Sequence, residues 1–248
     1  RCLVNGAHLR DSNPEFSAEG AAAEVYRALW DRRTEVAIKK MKGTGMEHAL
    51  HKTTTATTPS GRMLLSLEMK LFRDLHHPHV VACYGILEDR GENHIVTELC
   101  KVPLDTFCKV DRYWRFTDDE RLGMTQEMID AQKCQILLEV SSGLSRLHDL
   151  NVLHKDIKGN NILRAADGKW KICDFGEATV LKSHDDTRPR TDDNMTATIA
   201  SPELWEGEAI GLPSDVYAFG IVMWEVLTRQ EAWHWIFGSN QWAIMTQV

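Results

Sequence analysis

The chain of 248 residues lacks an uninterrupted apolar run of the length that a membrane-spanning helix needs. Its longest apolar stretch, residues 216–227, is broken by Glu225 and falls short of the about 20 residues required. A secretory signal, with its basic start and apolar centre, is also missing. We expect no membrane contact in this segment, and because the sequence starts at Arg1 we expect a piece of a longer protein.

Basic residues are in the minority, with 29 lysines and arginines against 36 aspartates and glutamates and a formal charge of −7. Proteins that bind nucleic acid or anionic membranes need a basic surface, so this balance disfavours both partners. The six cysteines include no Cys-x-x-Cys pair, and several lie among apolar residues. We predict reduced core thiols in a reducing compartment, and therefore a cytoplasmic location.

The segment from His154 to Leu163 concentrates a carboxylate, an amide and ammonium groups between apolar strand formers. Downstream, Asp167-Gly168 separates two half-apolar runs, which predicts a β-hairpin with a two-residue loop. In that register Asn161 and Asp174 face each other, so that two oxygen donors suited to Mg²⁺ share one cleft. Asp156, on the loop that enters the hairpin, can accept a proton from an attacking hydroxyl group.

Strand patterns precede this segment. Residues 36–39 alternate with a period of two, which puts Ala37 and Lys39 on one face of a strand. Residues 94–100 form a second strand that leads into a linker. A small apolar side chain and an ammonium group are therefore expected to line the same wall.

Helical spacing of apolar residues predicts three helices. They cover residues 64–75, 125–148 and 214–227. The third is apolar nearly all round, as a helix buried inside a lobe would be, and Ser214 and Asp215 can cap its start.

The order Asp156-x-x-x-x-Asn161 followed by Asp174-Phe175-Gly176 resembles the catalytic and metal-binding segments of eukaryotic protein kinases. Ser201-Pro202-Glu203 lies where most kinases carry Ala-Pro-Glu. Residues 214–225 are especially similar to the tyrosine-kinase-like group, which includes Raf-like and mixed-lineage kinases.

This resemblance implies an α+β class and a two-lobed protein kinase-like fold. Residues 14–100 would form a small lobe with an antiparallel β-sheet and the αC helix, and residues 101–248 a larger, mainly helical lobe of one kinase domain. Kinases normally have further helices after the segment that ends here at Val248, so the resemblance implies that the larger lobe is C-terminally incomplete.

The resemblance also assigns catalytic roles. Asp156 would be the base, and Lys158 would offset charge on the transferred group. Lys39 would position the phosphates, with Glu68 as its ion-pair partner. Glu47 is a competing partner, but it lies only eight residues after Lys39 and is expected to be too close.

Two cofactors are implied, ATP and Mg²⁺. Asn161 and Asp174 would hold Mg²⁺. The ATP contacts carried over are Gly20, Val25, Ala37, Lys39, Thr97, Glu98, Cys100 and Leu163. Thr97 takes the gatekeeper position, and Glu98 and Cys100 would offer backbone groups to the adenine edge.

The chain departs from the kinase pattern at two places. Ala18 and Ala23 replace the outer glycines of the glycine-rich loop, which leaves Gly20. Lys155 replaces the arginine between the catalytic histidine and aspartate, and lysine cannot form the bidentate fork that arginine offers a phosphate.

Threonines in and beside the hydrophilic segment from 181 to 195 are candidates for phosphorylation by an upstream kinase. They are Thr187, Thr191, Thr196 and Thr198. Thr196 also lies where kinases place a threonine that bonds the catalytic aspartate and lysine, here Asp156 and Lys158. Asp215 would bond the backbone of the catalytic loop.

The predicted function is transfer of the γ-phosphoryl group of ATP to a Ser or Thr hydroxyl of a protein substrate. An alternative is a pseudokinase that binds nucleotide or partners as a signalling scaffold, which the lost glycines and Lys155 favour. A small-molecule phosphotransferase with a similar core is a third reading, which Ser201-Pro202-Glu203 disfavours.

Overall fold

A computed structural model of the chain describes residues 15–19, 23–41, 75–89, 92–109, 125–188, 196–234, 236 and 244. The chain divides into two compact units, Arg1–Lys101 and Val102–Val248. Four residues that the sequence singled out lie outside the described residues: Gly20, Glu47, Glu68 and Thr191. Most of the helix expected over residues 64–75 lies outside them as well.

The first unit contains a five-stranded antiparallel sheet. Its strands are β1 (Glu15–Glu19), β2 (Ala23–Trp30), β3 (Thr34–Met41), β4 (Cys83–Asp89) and β5 (Glu92–Glu98). They pair in the order β1-β2-β3-β5-β4. The predicted strand over residues 36–39 is confirmed as part of β3.

The register of this sheet separates a core face from a second face. Side chains of a strand alternate between the two faces. Ala28, Val36, Ile38 and Val96 cluster on one face and form a buried core. Residues one position away along each strand therefore project to the opposite face.

The second unit is mainly helical. Its helices are α1 (Leu104–Lys109), α2 (Gln126–Asp149), α3 (Pro202–Trp205) and α4 (Leu212–Thr228). Its strands are β7 (Val152–Leu153), β8 (Ile162–Ala165), β9 (Trp170–Ile172) and β10 (Thr179–Val180). β8 and β9 form a hairpin. The strand β6 covers Cys100–Pro103. None of the described helices has the length and apolarity to cross a membrane.

Helix α2 confirms the helix predicted over 125–148. Thr125 caps its start, because the Thr125 hydroxyl accepts the backbone N–H of Met128 at 3.3 Å. The helix is tied to α4 by Lys133, whose ammonium group donates to the carbonyl oxygen of Leu227 at 2.7 Å. A cation at the last turn of a helix is favourable, since unpaired carbonyls gather there.

Helix α4 begins earlier than predicted. It starts at Leu212, with Pro213 in its first turn and Gly211 as the preceding residue, so Ser214 and Asp215 are not its caps. Proline suits this position because its missing N–H would have no partner there. The expectation of burial all round is also wrong, since three of its apolar side chains are exposed: Val216 (55%), Met223 (37%) and Leu227 (49%).

The hairpin between β8 and β9 exists, but its predicted register is wrong by one residue. Ile162 pairs with Ile172, so Asn161 faces Cys173 and not Asp174. The Cys173 N–H donates to the Asn161 carbonyl at 2.9 Å. The loop therefore has three residues, 166–168, and not the expected two. Gly168, the last of them, takes the left-handed conformation with φ 84° that a three-residue loop needs at this position.

The cysteines are less buried than predicted. Five lie in the described residues as thiols: Cys83, Cys100, Cys108, Cys134 and Cys173. Only Cys108 of these is buried, and Cys134 is exposed. Burial raises the pKa of the Cys108 thiol to about 12, which makes it a packing group and not a nucleophile.

Candidate active site

The loop between β7 and β8 carries two of the predicted catalytic residues, Asp156 and Lys158, and is organised around His154. The His154 ring is fully buried and packs edge-on against Phe175, with 5.1 Å between ring centroids. Its Nε2 lies 3.0 Å from the carbonyl oxygen of Cys173, and its Nδ1 accepts the backbone N–H of Asp156 at 3.3 Å. These two contacts assign the ring proton to Nε2. They also join the loop to the segment that begins at Asp174.

Asp156 is the centre of a hydrogen-bond network. Its Oδ2 accepts the Lys158 ammonium at 2.8 Å and the Asn161 amide at 2.7 Å. Its Oδ1 accepts the Thr196 hydroxyl at 2.9 Å. Lys158 also donates to Thr196 Oγ1 at 3.1 Å, which closes the network. The predicted contacts of Thr196 with Asp156 and Lys158 are therefore confirmed.

The network does not use every acceptor site of Asp156 or every donor of Lys158. An ionised carboxylate has about four acceptor sites, and an ammonium group has three donors. Three of the Asp156 sites are filled within the described part of the chain, and the remaining one is on Oδ1. Lys158 uses two donors there and keeps a third. The site therefore offers one acceptor and one N–H to an incoming molecule.

Asn161 and Asp174 have the donor atoms that Mg²⁺ requires. Asn161 is buried, and its amide nitrogen donates to Asp156 at both the carbonyl oxygen (2.8 Å) and Oδ2 (2.7 Å). The amide oxygen is consequently the atom turned away from Asp156. Asp174 is exposed and has a left-handed backbone with φ 63°. Both side chains present hard oxygens, so they fit the ion.

A fuller protein cage for a metal is not found in the part of the chain that the structure describes. No group of three or more His, Cys, Asp or Glu side chains there could hold an ion. Mg²⁺ typically takes one or two protein carboxylates, retains waters and completes its shell with substrate phosphates. Two oxygen donors are therefore sufficient for that ion, and a closed zinc-type centre is not built from these residues.

Asp215 positions the catalytic loop from the side of α4. The buried Asp215 carboxylate accepts the backbone N–H of His154 and of Lys155, each at 2.8 Å. This confirms the predicted contact with the loop backbone. His148, at the end of α2, lies 3.1 Å from the same carboxylate and was not predicted. Its partner is 67 positions away, and no local pattern indicates such a contact.

A second unpredicted contact joins the catalytic loop to α1. A Cβ atom built on Gly159 would lie 2.9 Å from both the backbone nitrogen and the Cβ of Asp105, which is closer than packed atoms approach. Only glycine allows this contact between the loop and the first turn of α1. The Arg164 guanidinium lies over the rings of Phe107 and Trp170, at 5.7 and 5.9 Å, and holds α1 against the hairpin.

Ser201-Pro202-Glu203 forms the start of helix α3. Pro202 occupies the first turn, where proline is favoured, and Ser201 precedes it. Ser214 donates to the Glu203 carboxylate at 2.5 Å. Burial alone would raise the pKa of Glu203, but its hydrogen bonds, led by that from Ser214, outweigh burial and lower it. Glu203 therefore has a hydrogen-bond partner within the chain.

In the first unit, four of the predicted nucleotide-contacting residues share a face of the sheet. Val25 pairs with Lys39 and Ala37 pairs with Thr97 across neighbouring strands. The predicted placement of Ala37 and Lys39 on one face is confirmed. At the end of β5, the Glu98 carboxylate accepts the Ala82 N–H at 2.7 Å, which fixes the strand end.

The structure also describes the surroundings of three residues that the kinase resemblance predicts as nucleotide contacts. Cys100 is half-buried in β6, and Leu163 is half-buried in β8 opposite Lys171. The Thr97 hydroxyl donates to the Glu98 carbonyl oxygen at 3.2 Å. Their contacts with a nucleotide stay predictions.

Comparison with known proteins agrees with these features. Residues 16–243 match the family model described as protein tyrosine and serine/threonine kinase. The mitogen-activated protein kinase kinase kinase dlk-1 of Caenorhabditis elegans is 30% identical over 222 residues, which are 88% of this chain and 20% of that protein.

Two human proteins are also similar. Mitogen-activated protein kinase kinase kinase 4 is 29% identical over 172 residues, which cover 67% of this chain and 10% of that protein. Tyrosine-protein kinase FRK is 25% identical over 211 residues, which cover 84% of this chain and 37% of that protein. The predicted α+β kinase fold class is confirmed, and the chain belongs to the family of protein tyrosine and serine/threonine kinases.

Proposed function

We propose that this chain transfers the γ-phosphoryl group of ATP to a serine or threonine hydroxyl of a protein substrate. The observation that carries the proposal is the Asp156 network. Lys158, Asn161 and Thr196 fix the carboxylate, and one acceptor site remains on Oδ1 for a hydroxyl. A binding module has no need of a carboxylate held in this way.

In the reaction, the substrate hydroxyl donates to Asp156 Oδ1 and is held in line with the γ-phosphorus. A bond forms between the hydroxyl oxygen and phosphorus, while the bond from phosphorus to the β–γ bridging oxygen breaks. Asp156 takes the hydroxyl proton, and ADP leaves with the bridging oxygen. The third N–H of Lys158 donates to an oxygen of the transferred group and offsets its charge.

Two further sets of residues act on the nucleotide. Lys39 positions the α- and β-phosphates, as in related kinases, and Glu68 is the proposed partner of its ammonium group. Asn161 and Asp174 would hold Mg²⁺ through their side-chain oxygens. When bound, the ion would neutralise phosphate charge and orient the triphosphate.

Lys158 supports serine and threonine as the acceptors. Serine/threonine kinases carry lysine two residues after the catalytic aspartate, whereas tyrosine kinases usually have alanine or arginine near there. Lys158 is built into the network through Asp156 and Thr196. The names of the dlk-1 and human kinase kinase kinase relatives specify no acceptor residue, whereas the name of FRK specifies tyrosine, so the choice depends on Lys158.

Of the proposed phosphorylation sites, Thr187 is more suitable for an upstream kinase than Thr196. Its side chain is exposed, whereas the Thr196 hydroxyl is bound to Asp156. A phosphate on Thr196 would place its negative charge against that carboxylate. Phosphorylation of Thr196 would therefore oppose the arrangement that catalysis needs.

The test incubates the chain with radiolabelled ATP, Mg²⁺ and myelin basic protein, followed by phosphoamino acid analysis. Asp156→Asn is the negative variant, because it keeps the shape but cannot take the proton. Asp149→Asn, at the exposed end of α2, is the matched control. Label on phosphoserine or phosphothreonine that disappears only in Asp156→Asn is the expected result.

Other results are decisive as well. Phosphotyrosine as the main product would overturn the choice of acceptor. Magnesium-dependent ATP binding without label transfer would overturn the enzyme and favour a pseudokinase scaffold. Equal activity of Asp156→Asn and the unmutated chain would remove Asp156 from the mechanism.

A further inference from the structure

An indole hydrogen bond connects the loop after α4 with the turn that follows Thr196. The Trp233 Nε1–H donates to the carbonyl oxygen of Thr198 at 2.9 Å. Thr198 belongs to the short 3₁₀ turn Ala197–Ile199, which Thr196 immediately precedes. The bond therefore reaches a point two residues from the hydroxyl that binds Asp156.

Trp233 is held in an unusual conformation. Its backbone has φ 62°, in the left-handed region that bulky residues rarely adopt. The preceding residue, Ala232, is buried and donates its N–H to the Glu225 carboxylate at 3.0 Å. The Trp233 carbonyl accepts the N–H of Ile236 at 2.8 Å. The loop therefore fixes Trp233 before its indole meets Thr198.

The turn at the other end of this bond has limited support of its own. Ile199 and Ala200 donate their N–H groups to the carbonyls of Thr196 and Ala197, at 3.1 and 3.4 Å. A turn this short is weak in isolation, because few hydrogen bonds oppose the entropy of ordering it. The Trp233 contact adds a third hydrogen bond to this turn.

We propose that Trp233 is a positioning residue for catalysis, which acts through the turn 197–199 on the Thr196 hydroxyl and thereby on Asp156 and Lys158. This inference rests on the proposed kinase function. A displaced Thr196 takes away the donor that fixes Asp156 Oδ1 and removes an acceptor from Lys158. A small displacement of a catalytic group is costly, since transfer needs the hydroxyl in line with phosphorus.

Trp233→Phe tests this role, because it keeps an aromatic ring and removes the indole N–H, together with the part of the bicyclic ring that the control variant also loses. Trp205→Phe is the matched control. The buried Trp205 indole N–H has no hydrogen-bond partner within the described part of the chain. We expect Trp233→Phe to lower kcat by about 2- to 10-fold, as the loss of one hydrogen bond allows. KM for ATP and the melting temperature should stay near those of Trp205→Phe.

A double-mutant cycle separates positioning from a general structural effect. If Trp233 acts through Thr196, Trp233→Phe should have little further effect on kcat in a Thr196→Ala background. Multiplicative losses in the double variant would overturn the proposal. A fall in melting temperature with an unchanged kcat would overturn it too.

Amide hydrogen exchange tests the positioning role of Trp233 independently of the proposed kinase activity. In Trp233→Phe, the amides of Ile199 and Ala200 should exchange about 2- to 10-fold faster than in Trp205→Phe. This readout needs no catalysis, so it applies even if the unmutated chain transfers no phosphate. Unchanged exchange in these amides would overturn the positioning role.

Discussion

The Asp215 carboxylate accepts the backbone N–H of Lys155 at 2.8 Å, and Lys155 is in the left-handed conformation with φ 71°. A non-glycine residue in this region is strained. The buried carboxylate offsets that strain through a charge-assisted hydrogen bond, and its other oxygen accepts His154 N–H. A side chain of α4 thus holds the backbone of the two residues that precede Asp156.

Asp215→Asn should weaken the hydrogen bonds that hold the backbone of His154 and Lys155. The amide has only one oxygen, so one of the two backbone N–H groups loses its acceptor and faces a second donor. We expect the free energy of unfolding to fall by about 2–4 kcal/mol. Urea denaturation measures this, and a change within about 0.5 kcal/mol, as expected for exposed Asp149→Asn, would contradict it.

Thr196→Ala should lower kcat about tenfold or more, because it removes a hydrogen bond to the charged Asp156 carboxylate. Thr196→Ser keeps the hydroxyl and should retain most activity. Thr228→Ala, which removes an exposed hydroxyl at the end of α4, is the control. Equal losses in the serine and alanine variants would show that the hydroxyl is not the important group.

Asn161→Ala should both weaken the response to Mg²⁺ and release Asp156. The variant loses an oxygen proposed as a metal ligand and two hydrogen bonds to Asp156. We expect kcat to fall on the order of 100-fold and half-maximal activity to need more Mg²⁺. A magnesium titration of activity measures both, with Asn160→Ala as control. An unchanged magnesium requirement would contradict the metal assignment.

Two glycine substitutions should change stability in opposite directions. Gly159→Ala places a Cβ 2.9 Å from the Asp105 backbone and should cost about 1–3 kcal/mol. Gly220→Ala lies on an exposed face of α4 with no atom within 4 Å and should add about 0.5–1 kcal/mol. Denaturant unfolding of both variants tests the close approach of α1 to the catalytic loop. Similar effects for the two substitutions would argue against it.

The raised pKa of Glu225 predicts that the stability of the chain depends on pH. Burial raises its pKa above the ordinary value of 4.5, although the Ala232 N–H and Lys109 lower it and Glu231 and Asp105 raise it further. The folded state therefore holds the proton more tightly than the unfolded state. The stabilisation from this group is complete below pH 4.5 and is lost as pH rises through the folded pKa.

Glu225→Gln removes this titration and keeps an oxygen that can accept the Ala232 N–H. The variant should gain stability relative to the unmutated chain as pH rises from acid to neutral. Unfolding free energies of both proteins across that range measure the effect. A difference that is constant with pH, or that changes in the opposite direction, would contradict the buried carboxyl.

Much of the fold followed from local patterns. The alternation at residues 36–39 predicted β3, and helical spacing predicted α2 and α4, because buried faces leave a periodic signal in the sequence. The predicted contacts of Thr196 with Asp156 and Lys158, and of Asp215 with the loop backbone, were confirmed. The hairpin register was not predicted correctly, since the conformation of Gly168 depends on the whole turn and not on the Asp-Gly pair.

The sequence by itself determined the family, the order of the proposed catalytic groups and most elements that carry them. The tertiary structure alone decided which distant residues meet: His148 with Asp215, Asp105 with Gly159, and Trp233 with Thr198. Local patterns record which face of an element is buried. They do not record which neighbour buries it, because that partner is selected by packing between segments far apart along the chain.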